Sequence, residues 1–319
     1  MNQYKNLEEY LCDEVHPEVE KLAMTVDGGY LNDHGPSHIK TVIERASQMI
    51  GDPEELLRPY EVYVLLVAIH LHDLGNIYGR TDHEKKLAEI MKKIGTRLGS
   101  DAVELKIIRD IAAAHGGKDS DGANVDTIAE LQPGEPFRSE TVRMQLLAAI
   151  LRFADELADD TDRASQLAVE LDLLPEGAKI FHQYAKQLHS VRVHRNLGSV
   201  DLRFTLASDV ACRTFEKDGS QRYLLDEIYS RTMKMHVERI YCSRFMHDVV
   251  RLDTINVEIR VYLDDAHMEP VETISYCLRE SGYPDAVLDI KRVVPDLKWS
   301  GEGLKCRLEE SKEQPRNGQ

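Results

Sequence analysis

Apolar residues recur at helical spacing along the first half of the chain, where they predict a series of amphipathic or buried helices. Glycine and proline mark some of the ends: Pro36 suits the first turn of a helix, and Gly51 suits the residue after its last turn. A stretch rich in Gly, Asp and Pro at 117–137 predicts a loop. The predicted helices cover residues 7–24, 36–50, 58–75, 81–98, 101–117 and 139–160.

After about residue 165 the pattern changes. Segments 199–206 and 254–263 alternate apolar and polar residues as strands do, and 285–294 is a further candidate strand. Helical spacing returns in 224–252 and 271–282. Residues 181–195, with several histidines, are typical of a half-buried helix and loop.

These elements predict a mainly α fold class. We expect a helical bundle over residues 1–165, followed by a smaller α+β domain over residues 166–304. Residues 305–319 are polar and lack periodicity, which predicts a disordered tail.

Acidic and imidazole side chains interrupt the apolar stripes of the bundle at two separate places. His72 and Asp73 end a strongly apolar helix, and both leave inward-facing stripes. Asp155 continues the stripe of Leu147 and Leu151. A buried Asp is costly unless it is paired or bound to a metal, so a core salt bridge is the alternative.

A fourth candidate ligand, His38, lies in the first turn of its helix, where a lone histidine is more often an N-terminal hydrogen bonder. Taken together, two imidazoles and two carboxylates suit Mn, Fe, Co, Ni, Zn or Mg, with open positions for water.

These motifs resemble the HD superfamily of metal-dependent phosphohydrolases. The resemblance covers roughly residues 30–165 and rests on His38, on LHDLG with His72 and Asp73, and on LLAAILRFADELADDTDRA with Asp155. LNDHGPSHIKTVIERA and LRFADELADDTDRA are similar to the HD-CE branch of prokaryotic conflict systems, in which an HD domain often stands beside a small α+β extension. The resemblance implies an HD-type helical bundle and hydrolysis of phosphate esters, with a role in antiphage defence.

The resemblance also implies an order of ligands for two metal ions. Two-metal HD proteins use His, His-Asp, His, His and Asp, with the Asp of the pair as a bridge. Singly, His83 is typical of an exposed helix start, and His115 of a favourable charge at a helix end. The ordered set favours two divalent ions, with these candidate ligands: His38, His72, Asp73, His83, His115 and Asp155.

Catalytic and substrate-binding residues are proposed from their position beside these ligands. The bridging Asp73 and His34 are the candidate catalytic residues. His34 precedes the helix of His38 and could act as a general base, a general acid or a phosphate contact; a solvated loop histidine is the alternative. Four cationic side chains are candidates for binding substrate phosphate, and each could instead form a surface salt bridge: Arg80, Lys118, Arg152 and Arg163.

Composition limits the classes of partner that we expect. The formal net charge of −16 disfavours sequence-independent binding of long duplex DNA, and a phosphorylated small molecule or nucleotide is the expected partner. There is no long apolar run and no secretory signal, and the five cysteines form no CxxC pair, so we expect a cytoplasmic protein with no membrane partner. The helix at 224–252 suits either homodimer contacts or packing within its domain.

Three functions fit this constellation. A phosphohydrolase or phosphodiesterase acting on a nucleotide or short oligonucleotide is the leading one. Asn76 stands where HD proteins of the cyclic-di-GMP type carry a Lys, which argues against that substrate. The same ligand order serves diiron oxygenases of the HD fold, which iron content and oxygen consumption would reveal. The third function is a non-catalytic HD module that senses a nucleotide.

Overall fold

The computed structural model describes residues 2–23, 35–52, 56–78, 83–117, 125–159, 169, 171–263, 268–280 and 289–313. The chain forms two compact units. Unit 1 comprises Met1–Asp159 and Glu238–Leu252, and unit 2 comprises Asp160–Val237 and Asp253–Gln319. The sequence-based boundary between residues 165 and 166 stays a prediction. Residues 238–252, which the sequence placed in the second domain, pack with unit 1.

The regular elements in the described residues of unit 1 are helices, apart from one small hairpin. A π-helical turn at Leu11–Val15 joins its first two helices, and 3-10 turns at Leu74–Tyr78 and Gly95–Leu98 follow the fourth and fifth. The elements are α1 (Asn2–Tyr10), α2 (His16–Ala23), α3 (Pro36–Ile50), α4 (Pro59–Leu71), α5 (His83–Ile94), α6 (Ala102–Ala113), β1 (Glu135–Phe137), β2 (Glu140–Val142) and α7 (Met144–Glu156).

Helix α4 forms the centre of unit 1. Val64, Val67 and Ile69, which lie on different faces, are all buried, as expected for a helix that is apolar all round. At its start, the buried Glu61 accepts hydrogen bonds from the backbone N–H of Arg58 and from the guanidinium of Arg143. Burial raises the pKa of Glu61, but these hydrogen bonds lower it overall, so the carboxylate stays charged and anchors α4.

Unit 2 is built around a four-stranded sheet in the order β3-β4-β7-β8. The central pair β4–β7 is parallel and the two outer pairs are antiparallel. Parallel pairing requires a long crossover, which here contains a short hairpin and a long helix. The elements are α8 (Glu176–Gln187), β3 (Leu188–His194), β4 (Ser199–Ala207), α9 (Ser208–Cys212), β5 (Thr214–Lys217), β6 (Ser220–Tyr223), α10 (Leu224–Met246), β7 (Thr254–Tyr262), β8 (Glu272–Arg279), α11 (Ile290–Val293) and α12 (Gly301–Glu313).

The fold class is confirmed, since the chain is mainly α with a smaller α+β portion. Several element predictions are also confirmed. The helix predicted at 36–50 has those bounds, the strand predicted at 254–263 is found at 254–262, and the strand predicted at 199–206 is found at 199–207. In unit 1, residues 140–142 form a strand of the small hairpin, where the sequence pattern placed the start of a helix.

Other predictions for the second half were wrong. The segment 271–282 was predicted as a helix, but Glu272–Arg279 is a strand, because Ile274, Tyr276 and Leu278 alternate towards the core. Residues 290–293 of the predicted strand at 285–294 are helical, and 188–194 is a strand.

The predicted tail at 305–319 was also wrong for its first part. Residues up to Glu313 are helical, with the buried Leu304 and Leu308 one turn apart. Residues 314–319 lie outside the described residues. No helix within the described ranges combines the length and the apolar character that crossing a membrane requires.

Candidate metal centre

The end of α4 sets the position of the first two candidate ligands. The helix ends at Leu71, so His72 and Asp73 follow in a turn. The buried His72 donates Nδ1–H to the carbonyl of Ile69 at 2.7 Å, because a carbonyl oxygen only accepts. In the neutral ring, its Nε2 lone pair is therefore available on the opposite side, as in metal-binding histidines.

Helices α3 and α7 carry the other two candidate ligands. His38 lies in the first turn of α3 and is buried, and Asp155 lies in the last turn of α7. Arg45 of α3 donates to the carbonyl of Leu157 just beyond α7 at 3.2 Å. This bond ties the two helices together close to the residues that carry ligands.

The ligand atoms of the four side chains lie within 4.8 Å of one another. His38 Nε2 is 3.1 Å from Asp155 Oδ1 and 3.4 Å from Asp73 Oδ2. His72 Nε2 is 3.4 Å from the same Asp73 oxygen and 3.5 Å from Asp155 Oδ1. Two imidazole nitrogens and two carboxylate oxygens thus face one point.

These separations fit a shared metal ion. Ligand atoms bound about 2.0–2.2 Å from one ion lie about 3.0–3.6 Å apart around a tetrahedral or octahedral centre. The four distances between imidazole nitrogen and carboxylate oxygen fall inside that range. The four side chains therefore fit one divalent ion with little rearrangement.

Electrostatics at the cluster favour positive charge among the carboxylates. Burial lowers the pKa of His72, but Asp73 and Asp155 together raise it to about 9. Burial raises the pKa of Asp155, and hydrogen bonds with His38 and His72 bring it well below its usual value. The cluster accordingly attracts a cation, which can be a proton or a divalent metal.

His115 faces the second oxygen of Asp73. Its Nδ1–H donates to the carbonyl of Ala112 at 2.6 Å, the same arrangement as in His72, and its Nε2 lies 3.6 Å from Asp73 Oδ1. The rings of His72 and His115 meet edge to face with centroids 4.9 Å apart. The two oxygens of Asp73 thus face different imidazoles: Oδ2 faces His38 and His72, and Oδ1 faces His115.

Several predicted site residues lie outside the described residues, namely His34, Arg80, Lys118 and Arg163. His83 is the first residue of α5, and its side chain is likewise not described. Their roles stay predictions.

Arg152, predicted to bind substrate, has other contacts. Its guanidinium pairs with Glu238 through Nε and Nη2 at 2.8 and 3.0 Å, and Nη1 donates to the Gly116 carbonyl and the Thr127 hydroxyl. It also stacks over Tyr241 at 4.5 Å. These contacts favour a structural role in unit 1 over substrate binding.

Sequence reasoning missed a second group of histidines behind the ligands. His70 of α4 contacts His16 of α2 through Nδ1 at 3.2 Å and the Tyr4 hydroxyl through Nε2 at 3.2 Å. Both imidazoles are buried and stacked. A histidine inside the apolar run VLLVAIHLHD was a signal for His70. No local pattern marked His16, which lies 54 residues away in sequence.

A model of the HD-CE family matches residues 28–232, more than half of the 319 residues. No curated protein matches the chain. The matched range contains all six candidate ligands and begins after α2, so Tyr4 and His16 lie outside it.

Proposed function

Because the chain belongs to the HD-CE family, we propose that it is a cytoplasmic metal-dependent phosphohydrolase or phosphodiesterase acting on a nucleotide or short oligonucleotide. The observation that carries this proposal is the convergence of four buried or partly buried ligand side chains within 4.8 Å. The similarity to conflict-system proteins supports a role in prokaryotic antiphage defence as part of the same proposal.

We further propose that the centre holds two ions. The division of the Asp73 oxygens supports this, because a bridging carboxylate must offer one oxygen to each ion. His38, His72 and Asp155 would hold the first ion. His115 would hold the second, with His83 as its predicted further ligand.

Divalent ions at such a centre lower the pKa of bound water and polarise a phosphoryl oxygen. The chain's own contribution is to hold the ligands in place. The carbonyls of Ile69 and Ala112 fix the rings of His72 and His115, so that both present Nε2 to the carboxylate of Asp73. His34 is proposed to transfer a proton or contact phosphate, and Arg80, Lys118 and Arg163 to bind the substrate phosphate.

The test combines metal analysis with a hydrolysis screen. Full-length protein supplied with Mn²⁺ is offered nucleoside phosphates, cyclic nucleotides and short oligonucleotides. Asp73→Asn is expected to lose both metal and hydrolysis. Asp110→Asn is the matched control, because Asp110 on α6 pairs only with surface cations in the described contacts, and it should keep both. Unchanged hydrolysis in Asp73→Asn would sink the proposal.

The same preparations separate the alternatives. Oxygen consumption by iron-loaded protein, without phosphoester hydrolysis, would point to an HD-fold oxygenase. Tight nucleotide binding without turnover under any metal would point to a sensing module.

A further inference from the structure

A cleft in unit 2 has the character of a binding site and is separate from the metal ligands. Its volume is about 250 Å³, slightly below the range of roughly 300–1,000 Å³ that is typical of small-molecule pockets. The end of β6, one face of α10 and residues between 289 and 300 form its walls. Six lining residues could contact a ligand: Arg222, Tyr229, Ser230, Met233, Lys291 and Trp299.

The floor of the cleft is apolar and partly aromatic. Tyr229 and Met233, one turn apart on α10, are 5% and 4% exposed, which places their side chains against the core. The Tyr229 hydroxyl donates to the Trp299 carbonyl at 3.0 Å, which ties α10 to the backbone of Trp299, and Lys298 Nζ lies 4.4 Å from the centre of the indole ring. Ser230, on the same helix, is exposed at the rim. Such a surface suits a planar ring.

Arg222 is held in place before any ligand arrives. Its Nη1 donates at 3.0 Å to Glu227, whose side chain is fully buried. Lys217 and Arg231 pair with the same carboxylate, so three cations surround one anion and an excess of positive charge remains. No described contact uses Nε or Nη2 of Arg222, and the side chain is 37% exposed. An anchored guanidinium with unused donors is well suited to bind phosphate oxygens.

A second cation, Lys291, also lines the cleft and is exposed. Two carboxylates line the cleft as well, and each accepts one backbone hydrogen bond at 3.0 Å: Asp226 from the Gly301 N–H and Asp289 from the Lys291 N–H. Both keep their charge, but cationic side chains still outnumber anionic ones here, because Lys217, Arg222, Arg231 and Lys291 stand against Glu227, Asp226 and Asp289.

We propose that this cleft binds a nucleotide, with Arg222 and Lys291 on the phosphate and the base against Tyr229 and Trp299. The site is independent of the metal centre and does not require the proposed hydrolysis. The base and the phosphate of the nucleotide each contribute to binding, so neither a nucleoside nor inorganic phosphate should bind as tightly as the nucleotide.

The test is calorimetric titration of the full-length protein with AMP, GMP, CMP and UMP, in chelator so that the metal centre does not contribute. Adenosine and inorganic phosphate serve as the two partial probes. At least one monophosphate is expected to bind, and its base-free and phosphate-free counterparts to bind at least about tenfold more weakly. No binding at millimolar concentration overturns the proposal. Inorganic phosphate binding as tightly as the nucleotide overturns the nucleotide assignment.

Substitutions in the cleft test whether the nucleotide binds there. Ser230→Trp fills the cleft from an exposed position and should abolish binding. Arg222→Gln and Lys291→Glu should weaken it at least about tenfold, since each removes a charge-assisted contact. Lys92→Glu, at an exposed lysine of unit 1, is the matched charge control and should bind normally. Lys291→Glu and Ser230→Trp leave the ion pairs of Glu227 intact, so normal binding in both overturns the proposal even if Arg222→Gln fails to fold.

Discussion

His70 and His72 lie two residues apart at the end of α4, and both side chains are buried, yet their pKa values shift in opposite directions. Burial, together with the neighbouring His72, lowers the pKa of His70 to about 4. Burial acts on His72 in the same direction, but two carboxylates raise its pKa to about 9. Neighbours therefore decide the charge of a buried imidazole, and one helix serves two different environments.

The difference has a simple structural origin. Two residues that are two positions apart on a helix point in nearly opposite directions. His70 points to α1 and α2, where it meets Tyr4 and His16, which are uncharged or held neutral. His72 points to α3 and α7, which supply His38 and Asp155. The first environment packs a neutral ring, and the second attracts cations.

The largest expected effect comes from exchanging these two histidines for alanine one at a time. His72→Ala should weaken metal binding by more than about a hundredfold, because even outer-shell changes cost 10- to 100-fold. His70→Ala should bind metal within about tenfold of wild type, although it loses stability. Calorimetric metal titration measures both. Equal loss in the two variants would contradict the division of α4 described here.

His115→Ala tests the imidazole that faces the second oxygen of Asp73. This variant should keep one ion and lose the second, with hydrolysis falling by more than about 100-fold, because even outer-shell changes cost 10- to 100-fold. Metal-to-protein ratios from elemental analysis check the count. A ratio unchanged from wild type would show that His115 is not a ligand.

Acid should destabilise the protein through the two buried histidines with lowered pKa values, His16 and His70. The folded-state pKa values of His16 and His70, about 3 and about 4, lie below the ordinary 6.5. The unfolded chain takes up two protons below pH 6.5 that the folded chain does not, so stability falls as pH drops from 6.5 towards 4. Between pH 6.5 and 5 the loss is about 3 kcal/mol. Urea unfolding at both pH values measures it, and a His16→Leu variant should show a shallower slope.

A smaller effect of opposite sign is expected from His72 in metal-free protein. Its folded-state pKa lies above 6.5, so its contribution is fully present below pH 6.5 and is lost as pH rises to about 9. Unfolding in chelator should show a loss of about 2–3 kcal/mol over that range. Metal-loaded protein should not show it, because metal binding requires the deprotonated ring. A flat profile in chelator would argue against a proton shared with Asp73 and Asp155.

Local signals explain which parts of the fold could be predicted. Helix α3 was bounded at both ends, by Pro36 at its start and by Gly51, whose φ of 71° suits glycine. The strand at 272–279 was missed because Val271, Ile274 and Leu278 also fit helical spacing. What decides its conformation is pairing with β7, and such pairing has no local signature.

The site shows the same limit. Acids on apolar stripes identified Asp73 and Asp155, since burying them demands a partner. The ion pair of Arg152 could not be read from the sequence, because its partner, Glu238, lies 86 residues further along the chain. His16 was missed for the same reason. Contacts between distant segments depend on tertiary packing, which periodicity does not report.

Helix α10 has a consequence for how this protein can be divided. Glu238 lies in the part of α10 that belongs to unit 1, where it neutralises the largely buried Arg152. A fragment that stops near residue 165 would keep the arginine and lose its counter-charge, which typically costs several kcal/mol. Unit 1 is a discontinuous domain, interrupted by an insertion. A minimal version has to splice residue 159 to residue 238 rather than truncate the chain.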